Sequence, residues 1–238
     1  MAEEIRRTTI GGIKDKSAPL KFWVAKLMAK FLNGILDSRG ITKYDIDEAR
    51  GLHTKFLKDA GTTGSKIHDW IEKYAKGEKP EMPEEKNVIV GVNGFLDWSK
   101  KNKVKFLENE TLVYSRQHDF SDKLDSIATI GGKRYLVDYK TGTGLYNDVM
   151  LQTAAYAGAY NEMTGNKIHG RWAIRIEKRD ESEFRADMDE KGKPNEEYKP
   201  FEAIYLDENK TQFAEDYKAF LNFWAGFLCY RKAENYLV

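Results

Sequence analysis

Two adjacent glycines, Gly131 and Gly132, separate two short runs rich in β-forming residues, 123–130 and 134–140. Both glycines accept the positive φ that a two-residue hairpin turn demands, so these runs are predicted to pair as antiparallel strands. If Ile130 faces Lys133, then Ile127 faces Leu136 and Asp125 faces Asp138. Facing residues share one side of a sheet with β-carbons about 5 Å apart, and two like charges there repel. A hard divalent cation, Mg²⁺ or Mn²⁺, would relieve the repulsion, because it takes oxygen ligands and two carboxylates at this spacing can share one. Lys140 lies two residues beyond Asp138 and points to the same side by the period-two rule. A second reading places both aspartates on a solvated face balanced by Lys140. Apolar residues on both parities, Leu124, Ile127, Leu136, Val137 and Tyr139, favour the site, since they mark strands covered on both faces, where unpaired carboxylates are costly.

The elements that must hold this hairpin follow from periodicity. Trp23, Val24, Leu27, Met28, Phe31, Leu32, Ile35 and Leu36 recur at helical spacing and predict an amphipathic helix over 18–37 with a lysine-rich outer face. Further helices are expected over 45–59 and 65–76, separated at Gly61-Thr62-Thr63-Gly64, and over 87–103. A strand at 106–115 precedes the hairpin, and a helix over 148–163 follows it, ended by Thr164-Gly165-Asn166. Strands at 171–177 and 201–206 flank the stretch 179–199, whose eight acidic residues predict a solvated hairpin loop. An apolar stripe from Phe213 to Leu228 predicts a closing helix. The chain is therefore expected to be one α/β domain over 1–238: a helical N-terminal part, 1–103, then a core and C-terminal helix over 104–238, with a mixed central sheet flanked by helices.

Composition narrows the chemistry. The 238 residues carry 39 Lys and Arg against 38 Asp and Glu, so nucleic-acid binding would have to come from a local patch. The single cysteine, Cys229, excludes an internal disulfide, a four-thiolate zinc site and a cysteine-ligated iron–sulfur cluster. The most apolar stretch, 20–36, is broken by Lys21, Lys26, Lys30 and Asn33, and the start MAEEIRR lacks a signal-peptide core, so a cytoplasmic, membrane-free protein is expected.

Asp125, then Asp138-Tyr139-Lys140 on the next strand, then Gln152 and Tyr156 on the following helix, with Gly64-Ser65-Lys66-Ile67-His68 upstream, resemble the PD-(D/E)XK nuclease superfamily. The likeness is to its RecB-type exonuclease branch and the compact phage and mitochondrial relatives. It covers most of the chain and implies a restriction-endonuclease-like core with a helical N-terminal extension. It implies Asp125, Asp138 and the Tyr139 backbone carbonyl as ligands of Mg²⁺ or Mn²⁺, with His68 approaching from the neighbouring helix and Glu110 as a further acidic candidate. Lys140 would orient or help deprotonate the attacking water and stabilise the phosphate, while Gln152 and Tyr156 would line the DNA side. Taken alone, His68 reads as a polar helix residue beside Glu72, and Gln152 and Tyr156 as ordinary helix residues. Lys100, Lys101 and Lys103 are candidates for phosphate contact, against a plain solvated face.

The expected function is a metal-dependent exonuclease in DNA processing, repair or recombination, acting on single strands or free ends, with RNA as an alternative substrate. A structure-specific endonuclease on the same fold and an inactive nucleic-acid-binding protein are the other readings. The last is kept open by Asp122, which stands where the family commonly has glycine, three residues before the first metal aspartate.

Overall fold

A computed structural model of the protein describes residues 17–142, 144–186 and 197–234. The Gly131-Gly132 turn forms with φ of 57° and 78°. It joins β2 (Phe120–Ile130) to β3 (Lys133–Thr141), with Ile130 opposite Lys133 and Ile127 opposite Leu136 as the sequence predicts. β1 (Lys105–Ser115) adds antiparallel to β2. A crossover through α4 (Asp148–Thr164) returns the chain to β4 (Gly170–Ile176), parallel to β3, and β5 (Phe201–Tyr205) closes the sheet antiparallel to β4. The protein is thus mixed α/β, with a five-stranded mixed sheet in the order β1-β2-β3-β4-β5.

The chain divides into two compact units, Lys14–Ser65 and Lys66–Val238. In the first, α1 (Ser17–Leu36) keeps Val24, Leu27, Met28, Phe31, Leu32 and Ile35 half-buried, while Phe22 and Leu36 are exposed. Thr42 caps α2 (Lys43–Ala75): its N–H and hydroxyl donate to Asp45, whose N–H faces the Thr42 hydroxyl, a reciprocal capping box. Arg39 adds a bidentate pair to Asp45 at 2.7 and 2.8 Å, and Asp45's carboxyl is held well below the usual range by Arg39 and then Thr42.

The second unit holds the sheet, covered on both faces. Leu124, Ile127 and Leu136 pack with Tyr156, Tyr160, Phe220 and Trp224 of α4 and α6 (Gln212–Glu234). Ala128, Val137 and Tyr139 point the other way, into Ile67, Trp70 and Ile71 of α2 and Val88, Val92 and Phe95 of α3 (Lys86–Lys101). This is why the hairpin is apolar on both parities. Buried Arg171 of β4 ties three elements, donating to Asp207, to Asp216 of α6 and to the Met150 carbonyl of α4.

α3 approaches the sheet through Gly91 and Gly94. A β-carbon on Gly94 would stand 2.4 Å from Phe201 Cβ on β5, too close to the backbone to be absorbed by rotation of a side chain. Gly94→Ala is therefore expected to lower stability by about 1–3 kcal/mol, the usual cost of overpacking. Urea unfolding checks this, and an unchanged midpoint would refute the close approach.

Two expectations are corrected. The predicted break at Gly61-Thr62-Thr63-Gly64 does not occur; α2 runs unbroken from Lys43 to Ala75. Two glycines cost about 1 kcal/mol each in helix propensity, but neither removes a backbone donor. Thr62 turns its hydroxyl back onto the Lys58 carbonyl at 2.9 Å, and the following Ile67 and Ile71 are fully buried. The 179–199 stretch is also not a plain loop. It opens with α5 (Glu181–Ala186), and its two ends meet where Phe184 contacts Tyr198 and the Tyr198 hydroxyl donates to the Arg179 carbonyl; residues 187–196 lie outside the described chain.

Candidate active site

The register of the hairpin carries Asp125 to the position opposite Asp138, but the ladder itself stops one pair earlier, at Ser126 opposite Val137. Beyond it a side chain replaces a backbone acceptor: the Tyr139 N–H donates to Asp125 Oδ2 at 2.7 Å. The ladder on the other side of β2 skips the same residue. Asn109 faces Ser126 and Thr111 faces Leu124, while Glu110 between them has φ of 52°. Period two breaks here as well, since Leu124 and Ile127, of opposite parity, enter the same core. Such interruptions re-aim side chains and recur beside functional sites; this one sets the carboxylates of β2 and β3 at the end of the paired region.

Asp138 is 1% exposed. Lys140 Nζ donates to its Oδ1 at 2.8 Å and lies 2.7 Å from Oδ2, which accepts no hydrogen bond. Asp125 is half-buried, so one side of the pair stays open to solvent. Burial pushes both carboxyls up, to about 6, against the pull of Lys140. Burial works against the Lys140 charge, but Asp138 and Asp125 outweigh it and raise the ammonium's pKa, so Lys140 is a cation at neutral pH.

His68 of α2 stands edge-on to the Tyr139 ring at 6.1 Å. Burial first and the Lys140 charge second lower its pKa, which keeps the imidazole neutral with a nitrogen lone pair free to ligate. Glu110 pairs with Lys123, and its charge reaches both His68 and Asp125. The Tyr139 side chain is buried on the opposite face, its hydroxyl donating to Ser126 Oγ at 3.0 Å and Ser126 in turn to Asn109 Oδ1 at 2.7 Å, so only its backbone is placed to serve the site.

On α4, Gln152 donates to the Tyr156 hydroxyl at 2.7 Å. Tyr156 is buried, and burial together with the charges of Asp122, Asp138 and Asp125 pushes its phenol pKa far up, so it keeps its proton. Asp125, Asp138, Lys140, Gln152 and Tyr156 thus gather in one region, with Asp122 and Glu110 bordering it and His68 against the Tyr139 ring within reach of the Lys140, Asp138 and Glu110 charges. Lys100, Lys101 and Lys103 do not join them. They end α3 and lead into Lys105, which pairs with Thr129 beside the glycine turn, at the opposite end of the sheet. Asp138 lies four residues beyond Arg134 on β3, about 13 Å along the strand.

The donor types suit a hard cation: a buried carboxylate facing a half-buried one, with a neutral imidazole nearby. Among the described residues, no three His, Cys, Asp or Glu side chains converge closely enough to form a preassembled metal group; the Lys140 ammonium rests on Asp138 instead.

A second polar cluster escaped the sequence reading. Arg175 of β4 donates to Glu202, to the Lys199 carbonyl and, at 3.3 Å, to the Gly142 carbonyl just after β3. Buried Glu177 accepts from Arg179 and from the Lys178 and Arg179 backbone N–H groups. Charged residues at 171, 175 and 177 inside an otherwise apolar strand were the available signal, because a buried charge requires built partners. No family model matches the chain, and no curated protein is significantly similar to it. No helix among the described residues is long and apolar enough to cross a membrane.

Proposed function

We propose that the protein is a metal-dependent deoxyribonuclease of the PD-(D/E)XK type that hydrolyses phosphodiester bonds from a free DNA end. The observation that carries this reading is the meeting of half-buried Asp125 and buried Asp138 with protonated Lys140 at the interruption of two strand ladders. Asp125 and Asp138 would hold Mg²⁺ or Mn²⁺, with the Tyr139 backbone, His68 and Glu110 as further ligands. The ion supplies a hydroxide at neutral pH and offsets charge on the phosphoryl oxygens.

The protein's own groups do the rest. Lys140, held as a cation by the two aspartates, donates to the phosphate oxygens as negative charge develops there; with its proton retained it is an electrostatic stabiliser, not a base. Gln152 and Tyr156, both retaining their hydrogen-bond donors, line the DNA side and orient the backbone. No covalent nucleophile is needed. The requirement for an end rests on the resemblance to the exonuclease-rich branch.

The test compares linear and covalently closed circular single-stranded DNA of one sequence, the corresponding duplexes and an RNA of that sequence, each with Mg²⁺ or Mn²⁺. Linear DNA is expected to be degraded to short products while closed circles survive. Rapid nicking of the circle would replace the exonuclease by an endonuclease, preferential loss of RNA would change the substrate, and binding without shortening of any substrate would overturn the enzyme.

A further inference from the structure

We propose that the end of the sheet remote from the carboxylates is a separate binding site for the sugar-phosphate backbone of single-stranded nucleic acid, built from Lys103, Lys105, Lys133, Arg134, Lys167 and His169. It goes beyond the cleavage reading and does not depend on it. The site is assembled by strand register. Lys105 of β1 faces Thr129 of β2, and Thr129 faces Arg134 of β3, so the three share one side of the sheet. The next step belongs to His169, just before β4: its N–H donates to the Arg134 carbonyl at 2.8 Å, and its Nδ1 faces the Arg134 N–H at 3.3 Å. Lys103 and Lys167 flank this row just before β1 and β4, and Lys133 opens β3 beside Arg134, on the alternate side of the sheet edge.

Pairing separates these charges from the cations around the carboxylates. Around the carboxylates, Lys123, Lys140, Arg175 and Arg179 are each matched to an acid. At the remote end, none of Lys103, Lys105, Lys133, Arg134 or Lys167 has an ion-pair partner among the described residues, and the buried Arg134 Nε has no acceptor among them. Glu108 of β1 accepts from the Tyr160 hydroxyl and makes no ion pair with the row. Lys103, Lys105, Lys133, Lys167 and His169 are exposed. The charge is therefore free to meet an anion.

The spacing selects the kind of anion. Adjacent strands lie about 4.8 Å apart, so the row from Lys105 to His169 spans about 14 Å, long enough to meet successive phosphates of a nucleic-acid backbone rather than one isolated anion. A membrane surface would call for apolar side chains beside the cations. In these segments, Leu107 is the only large exposed apolar residue among those described.

The experiment measures binding of a fluorescent 20-nucleotide single strand by anisotropy across a salt series in EDTA, so that cleavage plays no part. Each phosphate contact contributes about 0.7 to the log–log salt slope. Replacing Lys103, Lys105 and Lys133 together by Gln should lower that slope by about 2 and weaken binding at least about tenfold at 0.1 M salt. Lys218→Gln, on the exposed side of α6, should leave the slope unchanged. If the triple variant fails to fold, Lys103→Gln and Lys133→Gln singly should each lower the slope by about 0.7. An unchanged slope overturns the site. Polyglutamate competing as tightly as the oligonucleotide, or anionic phosphatidylserine vesicles bound as tightly, overturns the assignment to nucleic acid. A chain that cuts no substrate but loses slope in these variants keeps this site and loses the nuclease; cutting with an unchanged slope does the reverse.

Discussion

Asp138→Asn is expected to abolish cleavage, by at least about a thousandfold, because it removes a carboxylate from the pair that would hold the ion and with it several kcal/mol of charge stabilisation. The same substitution should not harm the metal-free fold at neutral pH. Burial raises the Asp138 carboxyl from 3.8 to about 6, so the native state binds a proton more tightly than the unfolded chain. That contribution is fully present below pH 4 and is lost as pH rises through about 6. Wild type should therefore lose stability between pH 4.5 and 7.5 relative to the Asn variant, by on the order of 2 kcal/mol, read as diverging melting temperatures in EDTA. Adding Mn²⁺ at pH 7.5 reverses the order: an ion that binds only the native state stabilises it by about 2.7 kcal/mol at a hundred times its Kd, and this gain should appear in wild type alone. Equal gains in melting temperature for both proteins would remove the metal from this pair.

Lys140→Ala is expected to lower kcat by about 10²- to 10³-fold, the usual loss of one preorganised donor to a developing anion, with DNA affinity changed less than about twofold. The split between kcat and binding separates this role from a structural one. Lys140 also compensates Asp138, at 2.7 and 2.8 Å from its two oxygens. Without the cation the buried carboxylate has less to hold it charged, so the variant should melt lower than wild type above pH 6 and approach it at pH 4.5. Cleavage at the wild-type rate would refute the assigned role.

The glycine turn, the strand register, the helix over 148–164 and the Asp-x-Lys spacing are local properties, and local physics made them legible. Adjacent glycines accept positive φ at both turn positions, period two then aligns Ile127 with Leu136, and apolar residues on both parities require helices on both faces. The continuity of α2 was not local. Gly61 and Gly64 lower helix propensity, and only the packing of Ile67 and Ile71 against the sheet outweighs them. Nor could the sequence reveal that the ladders of β2 fail on both sides at Asp125, because a glutamate gives no local signal for the positive φ that Glu110 adopts where β1 pairs with β2. That interruption lets Asp125 accept from the Tyr139 backbone, while the packing of α2 on the sheet brings His68, distant in sequence, against the Tyr139 ring. The remote cations were visible as separate lysines, but their union into a row beside His169 depends on which strands are neighbours, a long-range pairing decided by tertiary structure alone.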